Sequence, residues 1–255
     1  MENKKITAAR LQKTMASFGF VLLFLLTNLS SFSQSISIFA GPSQPYGLYA
    51  SKDFNRTSAG MANKGTAISL IIEDSRNAKV ISPYIQITHN NNPIDDAALD
   101  KVYHFIDSRN KFELGIRGAQ AFKPWNQTML MGGGKVNYYG NNFDLFAKGA
   151  VGLGWMSTYG YNIYSDSIGL VKFNPLKVNA LVLSAGLGAN IYFKENVSLT
   201  LGYDFFYAKN NFGYEKYSNG AGPVKADVAV EVKPDFQIGH FYVGLKLHLK
   251  DPRKK

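Results

Sequence analysis

Phe241-Tyr242-Val243-Gly244-Leu245-Lys246-Leu247-His248-Leu249 is the stretch on which the fold turns. Phe241, Val243, Leu245, Leu247 and Leu249 are apolar, and Tyr242, Gly244, Lys246 and His248 stand between them. Successive side chains of a strand point to opposite faces. Strict alternation over this length therefore sets one face in an oily phase and the other in a polar one. In a soluble sheet the oily phase is the protein's own core. Here other segments alternate the same way and the N-terminus carries an export signal, so the pattern points to a transmembrane β-barrel whose oily phase is lipid.

The second half of the chain repeats the alternation. Phe143, Leu145, Ala147, Val151, Leu153 and Trp155 oppose Asp144, Lys148, Ala150, Gly152 and Gly154. Leu181, Leu183, Ala185, Leu187, Ala189, Ile191 and Phe193 oppose Ser184, Gly186, Gly188, Asn190 and Tyr192. Val197, Leu199, Leu201, Tyr203, Phe205 and Tyr207 oppose Ser198, Thr200, Gly202 and Asp204. In the first half, strands are expected over about 36–50 (bent near Pro42 or Pro45), 66–72, 80–88 and 112–117. Thr128 to Tyr139 is either a separate strand or a continuation of the previous one after a kink at Lys123-Pro124. Leu99, Val102, Tyr103 and Ile106 follow helical spacing and predict a short amphipathic helix in a long loop, its stripe packed on the barrel rim, with binding of a partner as the alternative.

The turns at 73–79, 139–142 and 194–196 are short, whereas the connections at 51–64, 89–110, 157–176 and 209–235 are long. Outer-membrane barrels show this asymmetry, with short turns facing the periplasm and long loops facing outside. The expected fold is all-β, an antiparallel transmembrane barrel of eight strands; a separate strand at 128–139 would by parity make ten.

The chain has 255 residues, 45% of them hydrophobic, which does not suit a disordered protein. Its 15 Tyr, 18 Phe and 24 Gly suit barrel strands and interfacial girdles, a composition that a soluble β-sandwich can share. It has no Cys, hence no disulfide framework and no thiol chemistry. Residues 1–33 read as a signal peptide: Lys4, Lys5, Arg10 and Lys13 precede an apolar run from about Phe18 to Leu29, and Ser31 and Ser33 precede a cut before Gln34. The barrel domain is then 34–250, followed by a basic tail, 251–255. Loss of 1–33 lowers the formal charge from +10 to about +7. An exported chain with no block of five basic residues is not expected to bind nucleic acid. Its basic residues are assigned to the lumen and to the rims, where anionic lipid headgroups lie.

The chain resembles the small outer-membrane β-barrels of Gram-negative bacteria, the eight-stranded outer-membrane protein A/X type. The resemblance rests on Ser31-Phe32-Ser33 before Gln34 and on the strands Ala147-Lys148-Gly149-Ala150-Val151-Gly152-Leu153-Gly154 and Ser184-Ala185-Gly186-Leu187-Gly188-Ala189. It spans the whole mature chain and is one of pattern rather than of a specific motif. It implies a bacterial outer-membrane location, contact with outer-membrane lipid and lipopolysaccharide, and insertion by the barrel-assembly machinery. The chain departs from the family at its end: many members close on an aromatic residue, but here Asp251-Pro252-Arg253-Lys254-Lys255 follows Leu249-Lys250.

On the expected facing, Glu113, Arg117, Asp144, Lys148, Asp204, Lys246 and His248 point into the lumen. Ionisable residues on the lipid face would cost about 2–4 kcal/mol at mid-membrane. Eight strands enclose a space that side chains just fill. These residues are thus expected to form a packed polar network, with a narrow conducting path as the alternative. A lipid-modifying enzyme would need a convergent nucleophile and base. His89, His104, His240 and His248 form no i, i+4 pair, and no Gly-x-Ser-x-Gly occurs. No catalytic, cofactor-binding or metal residue is assigned, and a lone histidine at a rim is read as solvated. Met131-Gly132-Gly133-Gly134-Lys135 lacks phosphate-loop spacing and is read as glycine at a strand bend. Tyr159, Tyr161 and Tyr164, and Tyr207, Phe212, Tyr214 and Tyr217, are assigned to the interfacial girdle, with an unidentified extracellular ligand as the alternative. The expected function is a non-enzymatic outer-membrane barrel with a structural or surface role through its long loops. The alternatives are a small channel, a lipid-modifying enzyme and a soluble secreted β-protein.

Overall fold

Every backbone polar group that meets lipid needs a partner within the protein, and alternating strands meet that need only by closing on themselves. The computed structural model describes residues 34–53, 59–74, 81–109, 115–140, 142–167, 169–209, 214–215, 230–231 and 235–249. The barrel strands are β1 (Gln34–Pro45), β2 (Gly65–Asp74), β3 (Ile81–Asn92), β5 (Trp125–Tyr139), β6 (Phe143–Ser157), β9 (Lys177–Lys194), β10 (Val197–Ala208) and β13 (Phe236–His248). They pair in the closed order β1-β13-β10-β9-β6-β5-β3-β2. All neighbours are antiparallel, and β1 closes on β13 with Ile36 opposite Leu247 and Ile38 opposite Leu245. The remaining elements belong to connections: α1 (Gly47–Ala50), α2 (Asp96–Arg109), β4 (Ile116–Lys123), β7 (Gly160–Ser165), β8 (Gly169–Phe173), β11 (Tyr214–Glu215) and β12 (Val230–Glu231).

The number of barrel strands is eight, but their membership differs from the expectation in one place. The segment expected at 112–117 is not in the barrel. Its described part begins β4, which pairs with β7 in a separate three-stranded sheet, and 125–139 takes its place in the wall. Alternation around Ile116 reflects a face buried against α2 and the loop sheet rather than against lipid. Pro124, with no N–H to donate, separates the two strands. β1 is also shorter than expected. It ends at Pro45, and Gly47, at φ +56, turns the chain into α1. The signal-peptide and tail assignments, 1–33 and 251–255, lie outside the described residues.

The outer wall is an apolar belt. Ile68, Leu153, Leu187, Leu245 and Leu247 are each more than half exposed, and each alternates with an inward residue along its strand. Trp155 stands outward near the long-loop end, and Tyr138, Phe143 and Phe193 near the short-turn end, as in the girdles of membrane barrels. Such an exterior suits lipid and not water.

Inside, cross-strand pairs set large rings over glycines. Phe39 lies opposite Gly244, Tyr242 opposite Gly202 and Phe146 opposite Gly188. A Cβ at Gly202 would lie 2.4 Å from the Tyr242 hydroxyl and 2.8 Å from the Leu187 carbonyl oxygen, whereas one at Gly132, on the outer face, would meet nothing within 4 Å. The inward glycines thus give the rings room to fold flat across the lumen. Gly202→Ala is expected to lower stability by about 1–3 kcal/mol in urea titrations of the detergent-folded protein, with Gly132→Ala close to neutral in the same assay.

Candidate functional site

The lumen holds two layers. Toward the short-turn end it is charged, and toward the long-loop end an apolar cluster stands beside buried polar side chains such as Asn90, Asn92 and Gln127. Glu73 of β2 lies at the centre of the charged layer, with its carboxylate bonded to both Lys135 of β5 and Lys246 of β13. Lys148 of β6 pairs with Asp204 of β10 at 2.8 Å. Gln86 of β3 ties that pair together, accepting from Lys148 Nζ at 3.2 Å and donating to Asp204 Oδ2 at 3.2 Å. The Lys148 ammonium also lies over the Tyr242 and Tyr84 rings, 5.2 and 5.7 Å from their centroids. Asp144 accepts the Tyr192 hydroxyl, and His248 lies 3.2 Å from Ser198 Oγ. Among the described residues three carboxylates, at 73, 144 and 204, and three ammonium groups, at 135, 148 and 246, are buried in the wall's interior. The cavity left among these groups is about 10 Å³, room for about one water molecule.

Of the residues expected in the lumen, the structure places Asp144, Lys148, Asp204, Lys246 and His248 there, all buried. Glu113 lies outside the described residues. Arg117 is a correction: it sits on β4, 75% exposed, and pairs with Asp166 in the connection between β7 and β8. Sequence reasoning missed Glu73, placed in a turn, and Lys135, seen only as the end of a glycine run. The signal was present. Ser69, Ile71 and Glu73 have the parity opposite to lipid-facing Ile68, Leu70 and Ile72, and Met131, Gly133 and Lys135 share a parity too. His240 is a further correction to the reading of lone histidines as solvated, because it is fully buried on β13. Its ring nitrogens, like the buried Asn90 side chain, make no hydrogen bond to another described residue. His89 lies on the outer face and bonds Thr128 at 2.9 Å, and His104 lies 3.5 Å from Asp100 on α2. Among the described residues no three His, Asp or Glu side chains are grouped as metal ligands.

The apolar layer contains Met129, Met131, Met156, Val182, Phe206 and Ile238, with Tyr49 and Trp125 packed over it. The Tyr49 and Trp125 rings meet edge to face, centroids 5.2 Å apart. Trp125 Nε1 donates to the Gly60 carbonyl at 2.8 Å, and Gln127 Nε2 donates to the Tyr49 hydroxyl at 2.7 Å. Burial holds the Tyr49 hydroxyl protonated well above the ordinary tyrosine range. The first connection thus folds back into the barrel mouth and stoppers it.

Above the stopper, α2 packs on the β4-β7-β8 sheet through Leu99, Tyr103, Ile116, Tyr161, Ile163 and Phe173. This corrects two expectations. The helix rests on a loop sheet rather than on the barrel rim, and Tyr161 is a core residue stacked on Phe173 at 4.5 Å rather than part of a girdle. The free edge of β4 is occupied by the helix: Ala119 N donates to Asp100 Oδ1 at 3.0 Å and Ala121 N to Asp96 Oδ1 at 2.9 Å. Asp95 caps α2 by accepting from Ala98 N at 3.0 Å and bonds Lys52 of the first connection. These two bonds, the Lys52 one foremost, hold its carboxyl below the usual aspartate range.

No protein-family model matches the chain, and no curated protein matches it. Among solved structures it is similar to the major outer membrane protein of Thermus thermophilus, with 12% identity, a TM-score of 0.50, and coverage of 85% of this chain and 100% of that one. It is similar also to neisserial surface protein A (9% identity, TM-score 0.46, 84% and 96% covered). A third is Ail, the attachment invasion locus protein of Yersinia pestis (10% identity, TM-score 0.41, 86% and 99% covered). At 12% identity the likeness to the Thermus protein is one of fold, and this chain has the fold of an outer-membrane β-barrel.

Glu73→Gln leaves two buried ammonium groups without their carboxylate. It is expected to cost about 3–5 kcal/mol in urea unfolding. In the connections, the depressed Asp95 pKa means that the carboxylate supports α2 above the unfolded value of about 4 and loses that support as pH falls through its lower folded value. The protection of the Ala98 amide, its exchange rate relative to an unstructured chain at the same pH, is expected to fall over that acidic window in the wild type. The fall is absent in Asp95→Asn, which can still cap the helix but carries no charge.

Proposed function

We propose that this protein is an integral outer-membrane barrel of a Gram-negative cell, non-enzymatic, acting at the cell surface through its folded long loops. The filled lumen carries the reading. Among the described residues about 10 Å³ is open in the charged layer, and Tyr49 and Trp125 pack above it, which supports a lumen too full for a solute. The filled interior sets a surface role above the small channel. Function then falls to the α2 and β4-β7-β8 platform, which buries its own core and exposes Leu170 and Tyr164 away from the lipid belt. On this reading the long loops face outside and the short turns face the periplasm. The partners are outer-membrane lipid, lipopolysaccharide, the barrel-assembly machinery and an extracellular ligand.

Two measurements test it. The folded protein in planar bilayers is expected to be silent, and regular conductance steps would favour the channel. Because the chain has no Cys, single cysteines report orientation. In intact cells an impermeant maleimide is expected to label Lys101→Cys, and to reach Lys194→Cys only after the envelope is opened. The reverse pattern would overturn the assignment of the loops.

A further inference from the structure

An open cleft of about 510 Å³ lies on the outside of the barrel, where the ends of β2 and β3 meet the start of α2 and the β4–β5 connection. Lys64, Thr66, Asn91, Asp96, Phe122 and Lys123 are among its lining. The outward faces of the two strands change character here. Below the cleft stand Ile68 and Ile87, which belong to the apolar belt. At its level stand Thr66 and Asn91, which face each other across β2 and β3, and Asn91 is joined outward to β5 by an Asn91–Asn126 bond of 3.2 Å; one step below, Ile68 stands beside His89, which bonds Thr128. The cleft therefore sits where the wall passes from hydrocarbon to headgroup.

Its charge is the second observation. Lys52 and Arg117 are paired with Asp95 and Asp166. Lys64 and Lys123 are exposed and have no ion-pair partner among the described residues. A third ammonium, Lys172, stacks on the Phe122 ring at 4.8 Å. The carboxylate in the lining, Asp96, is engaged by the Ala121 N–H. The cleft is thus net positive and opens downward onto an apolar stripe.

We propose that this cleft binds the phosphorylated headgroup of a membrane lipid, with Lys64 and Lys123 meeting the phosphate and an acyl chain lying along Ile68 and Ile87. The continuity of the cleft with the lipid belt selects a lipid over a free anion, because a soluble phosphate would gain nothing from the isoleucines. Thr66 and Asn91 supply neutral hydrogen-bonding groups for the headgroup. The proposal rests on the membrane-embedded reading above and deepens it by naming the surface that a phosphorylated lipid occupies.

The test is lipid retention on the detergent-folded protein, read by native mass spectrometry with diphosphoryl lipid A and its dephosphorylated form as probes. Heat-dependent gel mobility checks the fold of every sample. The wild type is expected to prefer the phosphorylated form by about an order of magnitude, and the Lys64→Gln/Lys123→Gln variant to lose that preference. Lys194→Gln, exposed at the short-turn end, should retain it. Equal retention of the two probes by folded wild type, or an unchanged preference in the folded double variant, would overturn the proposal and leave the barrel reading standing. Displacement of the lipid by inorganic phosphate alone would also overturn it, by showing that the acyl stripe contributes nothing. Absence of a heat-dependent shift in the wild type would overturn both readings.

Discussion

The β1–β13 ladder is the interaction on which the rest of the structure depends. A strand exposed to lipid cannot leave its N–H and C=O groups unpaired, because no water is available to take them. Pairing the first barrel strand with the last removes both edges at once. Closure at eight strands then fixes the width of the lumen, and that width leaves space for side chains but little else. From this follow the glycines beneath Tyr242 and Phe146 and the buried ion pairs.

The two lumen layers meet the same demand with different chemistry. In the charged layer no element can supply an apolar core without giving up the polarity that tells inside from outside along each strand. The layer instead resembles a salt lattice, with Glu73 between two lysines and Lys148 between Asp204, Gln86 and two aromatic faces. Glu73 is held from β5 and β13, and the Lys148–Asp204 pair from β3, so the network also ties together β2, β3, β5, β6, β10 and β13. In the apolar cluster methionines and aromatics fill the mouth under α1. Edges outside the membrane are handled locally. Asp96 and Asp100 take the free N–H groups of β4 just as a neighbouring strand would.

Most of the wall was legible because lipid and lumen impose opposite preferences on successive residues. Phe241 to Leu249, Leu181 to Phe193 and Val197 to Tyr207 declared their facing without any tertiary information, as did lumenal Asp144, Lys148, Asp204, Lys246 and His248. Legibility failed where that contrast was missing. Around Ile116, alternation came from a small sheet with its own core, and short alternation alone does not say what covers the apolar face. β5 was obscured by Gly132-Gly133-Gly134, whose missing side chains erase the pattern. Glu73 was lost because a charged residue at a strand end reads as the start of a turn. The platform was not legible: Tyr161 and Phe173 look like loop aromatics until β7 and β8 bring them into contact.

β13 faces lipid on one side and a filled lumen on the other. Single tryptophans along this strand, with Trp125 and Trp155 replaced by Phe, in vesicles whose acyl chains carry bromine, provide the test. Strong quenching is expected at Val243→Trp, Leu245→Trp and Leu247→Trp, and weak quenching at Tyr242→Trp, where one inward ring replaces another. Uniform quenching along the segment, or none at any position, would contradict it.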